Sequence, residues 1–329
     1  MNRRWKELFG AFCMGVLIPG LVLQMGTLRV PARQEQDPTQ MPTQGAVQQR
    51  PAVQTPVFVP VMMPGDTVQI MELDKYLLGV VLAEMPVYFE EEALKAQAVA
   101  ARTCALLCCR EGRKHSGGAI CTDPGCCQAY MSEQAYLDDG GKIESVDKVR
   151  RVISATADQV LTYEGKLIQA TYFSCSGGRT EDAAAGWGGD VPYLQSVDSP
   201  GEEAADTYAD EVQLTKEAFQ QMLGRRLTGS PDKWLGEVKR TKGGGVATMV
   251  IGGKTYTGTQ LRSTLELNST AFTMAVQGEN IVITTSGKGH RVGMSQYGAE
   301  AMAVKGSNYR EILQHYYPQT RIDKISALE

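Results

Sequence analysis

From Leu8 to Leu28 the chain carries no charged residue, and Arg3, Arg4 and Lys6 stand immediately before it. Such a run is long enough to cross a bilayer as a helix, and the preceding cations keep its N-terminus on the cytoplasmic side. Met25-Gly26-Thr27 is a poor match to a signal-cleavage pattern, so the segment reads as an uncleaved anchor rather than a removed leader. The next stretch is rich in Pro, Gln and Thr, has no helical period and holds few large apolar groups, which describes an extended linker. The pattern divides the chain into a cytoplasmic tail at 1–7, a transmembrane anchor at 8–28, a linker at 29–60 and a folded domain at 61–329.

Within the folded part, Thr67 to Ile70 alternates polar and apolar as a strand does. Lys75 to Glu84 places Leu77, Leu78, Val81 and Leu82 on one helical face, with Asp74 as the expected N-cap and Pro86 ending the helix at Glu84. A second helix is expected from Glu90 to Arg110, lined with Ala93, Ala96, Ala98, Ala100 and Ala101. Paired strands are expected at Gln159–Thr162 and Leu167–Phe173, and again at Val246–Ile251 and Lys254–Tyr256, with further strands at Phe272–Gln277 and Ile281–Thr285. Helices are expected at Lys216–Leu223, Gln260–Leu265, Ser295–Lys305 and Tyr309–Tyr316. Helices early and antiparallel hairpins late predict an α+β fold.

A chain of 329 residues with a net charge of −4 supports a substantial core, and the absence of any basic stripe argues against nucleic acid as a partner. Eight cysteines outside the cytoplasm would suggest disulfides, yet Cys108-Cys109 and Cys126-Cys127 are adjacent pairs and Cys13 falls in the anchor. No disulfide framework is evident.

The stretch "LAEMPVYFEEEALKAQAVAAR" holds four glutamates. Glu90, Glu91 and Glu92 suit the first turn of a helix, where acidic groups meet the positive end of the dipole. Glu84 has no such reason. At a helix C-terminus, against Leu82, Met85 and Tyr88, its carboxyl should hold its proton toward neutral pH, as a general acid on a glycosidic oxygen must.

"YLLGVVLAEMP" and "EALKAQAVAARTCA", followed in order by "ATYFSCSGGRTE", "PYLQSVDSP" and "GHRVGMSQYGA", resemble the stage II sporulation protein D family, the SpoIID/LytB domain of bacterial cell-wall enzymes. The resemblance runs from about Tyr76 to Tyr317. It implies a lytic transglycosylase that cleaves peptidoglycan glycan strands between N-acetylmuramic acid and N-acetylglucosamine with a 1,6-anhydro product, Glu84 being the catalytic acid and base. It also implies a sugar groove near Ser174, Ser176, Gly177 and Gly178, near His290, Ser295, Gln296 and Tyr297, and beside Gln128 and Tyr130. Arg102 is a candidate to pair with Glu84, to bind a muramic lactyl carboxylate, or to be no more than a surface charge. Relatives usually carry Gly where this chain has Arg291. The biological setting implied is engulfment during sporulation, beside a wall amidase and a membrane scaffold protein, with the domain outside the cytoplasm on the mother-cell membrane facing the forespore.

"HSGGAICTDPGCC" gathers His115, Cys121, Cys126 and Cys127 in a glycine-rich loop, and soft thiolates with an imidazole favour tetrahedral zinc. His115, Cys121 and Cys127 are the expected ligands, with Cys126 a fourth or a bystander. One histidine among thiols suits a structural or substrate-shaping ion better than a hydrolytic one. Two other readings compete: a glycan-binding scaffold without turnover, and a zinc-dependent wall hydrolase. A thiol nucleophile at Cys175 with His290 as base is disfavoured, since no third group is evident to orient the histidine.

Overall fold

A computed structural model describes residues 56–112 and 115–328. The anchor expected at 8–28 and nearly all of the linker lie outside them, and among the described residues no helix is long and apolar enough to cross a membrane. The first strand, β1 (Phe58–Met63), begins three residues before the expected boundary at Val61. It turns back through Gly65 and Asp66, both at positive φ, into β2 (Thr67–Glu72), in register from Phe58 opposite Glu72 to Met63 opposite Thr67. Alternation buries Val59 and Val61. A two-residue strand, β3 (Ile120–Cys121), runs parallel to β1 with Val61 opposite Ile120 and Met62 opposite Cys121, which ties the cysteine loop to the sheet.

Helix α1 (Leu73–Glu84) starts two residues earlier than expected, with Glu72 at the N-cap in place of Asp74; Asp74 sits in the first turn. Its end is as expected: Met85 is extended, the conformation that Pro86 imposes on the residue before it. Helix α2 (Glu91–Glu111) is the centre of the first core. Its alanines at 93, 96, 98, 100 and 101 have no exposed surface. Side chains this small let α1 and the helices Ile143–Ala155, Gln296–Val304 and Tyr309–Tyr316 all approach the same rod. The Ile143–Ala155 helix was not expected, although Val146, Val149, Val152 and Ile153 form its buried stripe.

Gln159–Tyr163 pairs with Lys166–Leu167 across a turn at Glu164-Gly165, and with Arg321–Lys324 on its other side. The expected strand from Leu167 to Phe173 breaks. Ala170 N–H donates to the Ile168 carbonyl and Thr171 N–H to that of Gln169, each at 3.0 Å, and these tight turns redirect the chain. Tyr172–Phe173 then pairs in parallel with Met294–Ser295 in a separate sheet.

A second core gathers Phe219, Trp234, Leu261, Phe272 and Ile281 between two antiparallel three-stranded sheets. The hairpins at Val246–Thr257 and Phe272–Ser286 match expectation. Their partners at Ala209–Thr215 and Leu235–Arg240 were missed because they are exposed edge strands with many charges and little apolar alternation. The α+β class stands.

Candidate active site

Because α1 stops at Glu84, the carboxyl of that residue projects beyond the last turn into a cavity of about 1060 Å³ lined from both cores. That volume is at the upper end of what small-molecule sites usually offer. Glu84 is half-buried. Its Oε1 accepts the Ala129 N–H at 2.8 Å and its Oε2 the Gln296 Nε2–H at 3.4 Å. Burial raises the carboxyl above its ordinary range, and the two donors oppose that only in part. Among the described residues no other carboxylate contributes to that rise, although Glu111 lines the same cavity.

The Ala129 N–H is held in place by its neighbours. Tyr130 stacks parallel on Tyr76, ring centroids 5.8 Å apart, and Met131 N–H donates to the Gly79 carbonyl at 3.0 Å. Gly79 has to be glycine, since a Cβ there would meet the Tyr130 ring at 2.3 Å. Gln128 is buried, accepts from Tyr76 and donates from Nε2 to the Tyr172 hydroxyl at 2.7 Å. Burial, and next the charge of Glu84, keep the Tyr172 phenol protonated. Gln128 and Tyr130 therefore support the acid from behind; neither lines the cavity, contrary to the substrate-binding role that the resemblance implies.

Ser174 and His290 do line it, with Tyr172, Phe173, Trp187 and Tyr193 supplying aromatic surface. His290 meets Phe173 and Trp187 edge to face, and its Nδ1 accepts the Val292 N–H at 3.2 Å. Burial, together with the nearby Arg262 charge, pushes the imidazole down to about 4, so it is neutral in ordinary buffers. Ser295 caps the helix after it, accepting the Gly298 N–H at 3.2 Å, and thereby presents Gln296 to Glu84. Tyr297 packs its edge on Phe89 and lies outside the cavity lining.

Two expectations are corrected. Arg102 is 1% exposed and its guanidinium donates to the carbonyls of Ile153, Thr156 and Gln159, with Asp74 at 3.7 Å. It ties α2 to the end of the Ile143–Ala155 helix and reaches neither Glu84 nor a sugar. The Ser-Gly-Gly element also turns inward. Ser176 N–H, Ser176 Oγ–H and Gly177 N–H all donate to Glu202 Oε2 at 2.8, 2.8 and 2.9 Å. Gly177, at φ 73°, admits the backbone of Ser286 and Gly287, and neither it, Ser176 nor Gly178 lines the cavity.

Cys175 donates to the same Glu202 oxygen, and burial and that carboxylate push its thiol up to about 12, the reverse of what a nucleophile needs. Arg291 adopts φ 66°, the left-handed backbone that a glycine would tolerate at this position. Its buried side chain donates to Ser176, Arg179 and Gly243 carbonyls and pairs with Glu181 at 3.1 Å, joining the two cores.

His115, Cys121, Cys126 and Cys127 bring their ligating atoms within 4.8 Å of one another. His115 Nε2 is 3.4 Å from Cys126 Sγ and 3.6 Å from Cys127 Sγ, and the two sulfurs are 3.9 Å apart. A zinc tetrahedron with ordinary bond lengths has edges of about 3.5–3.8 Å, so this donor set fits the ion, with Cys126 as the fourth ligand. No disulfide joins any two of the described cysteines.

The chain resembles known proteins along most of its length. A family model described as SpoIID, stage II sporulation protein, matches residues 65–163. Stage II sporulation protein D of Bacillus amyloliquefaciens is 40% identical over 280 residues, 83% of this chain and 81% of the relative. Its namesake in Bacillus subtilis (strain 168) is 39% identical over the same span. An amidase enhancer of Bacillus subtilis (strain 168) is 28% identical over 302 residues, 75% of this chain and 40% of that protein. With these identities added to the arrangement around Glu84, the chain belongs to the stage II sporulation protein D family.

Proposed function

We propose that this protein is a lytic transglycosylase of peptidoglycan glycan strands with Glu84 as its acid and base. One observation carries the reading. Glu84 is a half-buried carboxyl with a raised pKa, aimed into an aromatic-walled cavity, and the other carboxyl lining that cavity among the described residues, Glu111, is exposed at the end of α2. A glycosidase that activates water generally needs two carboxyl groups. A muramic residue can supply its own nucleophile, and then one suffices.

Protonated Glu84 gives its proton to the oxygen bridging muramic acid and glucosamine, and the bond from the anomeric carbon to that oxygen breaks. The resulting carboxylate, held by Ala129 N–H and Gln296, takes the proton of the muramic C6 hydroxyl as that oxygen bonds to the anomeric carbon. The product is a 1,6-anhydro end, no water is consumed, and Glu84 is again protonated. Aromatic side chains such as Trp187 and Tyr193 suit the apolar faces of pyranose rings.

Zinc bound by His115, Cys121, Cys126 and Cys127 would supply rigidity as a structural ion. The residues of that loop run directly into Gln128 and Ala129, whose contacts position Glu84. The names of the relatives support action during sporulation and a wall amidase as partner. A membrane scaffold as second partner, anchoring through 8–28 and exposure of the domain outside the cytoplasm, on the mother-cell membrane facing the forespore, complete the proposal.

The test is product mass. Purified glycan strands treated with the full chain should yield ends one water lighter than hydrolysed ends, and Glu84→Gln should yield none. Hydrated ends from the wild type would replace this reading with hydrolysis.

A further inference from the structure

Outside the reacting centre, the same cavity holds two cations that the mechanism does not use. Arg262 and Lys288 both line it, next to His290 and Trp187. The Arg262 guanidinium is partly buried, yet it donates no hydrogen bond and has no ion-pair partner among the described residues. Burial alone lowers its pKa, with no acid offsetting it. A half-desolvated guanidinium without an acceptor is costly to hold, and such groups are ordinarily paired. Glu111, whose carboxyl shares the cavity lining, contributes nothing to the Arg262 shift, and the cavity-lining Asn268 donates its amide to Asp210 at 2.9 Å.

The backbone brings the two cations together. Leu267 N–H donates to the Arg262 carbonyl at 2.9 Å, and Gly289 N–H donates to the Asn268 carbonyl at 3.0 Å. Gly289 stands at φ 116°, and a Cβ there would strike Phe173 at 2.7 Å. Lys288 is fixed from the other side by reciprocal backbone bonds with Cys175 at 2.7 and 3.1 Å, on the ribbon that carries Tyr172 and Ser174 to the cavity. The second core thus delivers Arg262 to one wall, and the ribbon delivers Lys288 beside it.

We infer that Arg262 and Lys288 form a carboxylate-binding subsite that recognises an acid carried by the substrate strand, Arg262 being the principal contact. The inference rests on the glycan reading above. Two groups on such a strand present a carboxylate: the lactyl arm of a muramic residue without its peptide, and the acids of a stem peptide still attached. The planar fork of Arg262 matches either.

Equilibrium binding to the full chain in detergent, read by anisotropy of end-labelled strands, tests the subsite without requiring turnover. Arg262→Gln should weaken binding of free-acid strands about tenfold. Methyl esterification should weaken wild-type binding by the same factor, and Arg262→Gln should bind esterified and free strands alike. Arg262→Lys should recover part of the loss, and Lys288→Ala, at an exposed position, gives a separate arm should Arg262→Gln not fold. Equal losses on free and esterified strands, or no loss, would overturn the proposal. A loss confined to peptide-stripped strands assigns the acid to the lactyl arm, and one confined to peptide-bearing strands assigns it to the stem; either supports the subsite. If carboxylate-dependent binding persists while the wild type releases no product, the subsite stands and the transglycosylase reading falls. If anhydro product forms but binding ignores esterification, the reverse holds.

Discussion

Glu84 and Glu202 are both withdrawn from solvent, and they differ in how many donors meet them. Glu202 is 1% exposed and receives Ser176 N–H, Ser176 Oγ–H, Gly177 N–H and Cys175 Sγ–H on one oxygen and Ser199 Oγ–H on the other. Glu84 receives one short backbone bond and one long amide bond, and the rest of it faces a cavity. A carboxylate fully surrounded by donors has no capacity left for substrate and serves the fold. One left partly unsatisfied in a desolvated place is poised to hold and release a proton. The contrast separates two motifs that, as strings of letters, both look like site elements.

The largest expected effect falls on the Glu84 side. Glu84→Gln should lower the rate of strand cleavage by about 10²–10⁴-fold, the usual contribution of a general acid, while its unfolding curve remains cooperative. Assay of released ends with parallel circular dichroism checks both. Glu202→Ala should do the opposite. It strands the Ser176 and Gly177 donors and should cost about 3–5 kcal/mol in urea unfolding, with kcat of the folded fraction little changed. A Glu202 variant that is stable and inactive would erase the distinction.

Metal removal sharpens the comparison from a third direction. Removing the proposed zinc, verified by elemental analysis, or replacing Cys121 by Ser, should loosen the segment leading to Ala129. Cleavage should fall about tenfold or more while the cores stay folded. The readout that separates positioning from catalysis is the pH profile, which should move with the Glu84 pKa.

Proton linkage gives a smaller signal. Since the Glu84 pKa is raised in the folded state, the folded form binds its proton more tightly than the unfolded form. Its contribution to stability is complete below the ordinary carboxyl pKa and is lost as pH rises through the folded value. Glu84→Gln should therefore gain stability relative to the wild type on going from pH 4 to pH 8, and wild-type activity should fall on the alkaline side of the same pKa. The smallest effect concerns His290, whose pKa near 4 predicts no kinetic limb between pH 6 and 7. Proton NMR of the imidazole provides the check.

Much of the Glu84 region was legible in the sequence because local rules decide it. Pro86 ends α1 where the pattern said it would, the alanine stripe of α2 is buried, and the loop thiols converge with His115. What failed depends on long-range contacts. Arg102 looks like a binding residue until the carbonyls of Ile153, Thr156 and Gln159 close around it, from residues more than fifty positions away. The glycines of "SCSGGRT" do mark a close backbone approach, but the partner is Ser286-Gly287 and not a ligand. Tyr172 and Trp187 were passed over because aromatic residues in a short strand or helix read as core. Arg262 carried no motif at all, and only its place in the fold makes it notable.

The most direct test of the central claim is cleavage of purified glycan strands in water enriched in oxygen-18, with the new ends weighed by mass spectrometry. Intramolecular attack by the muramic hydroxyl predicts anhydro ends that carry no heavy oxygen, formed by the wild type and absent with Glu84→Gln. New ends labelled with oxygen-18 would mean that water is the nucleophile, and would contradict a single-acid transglycosylase.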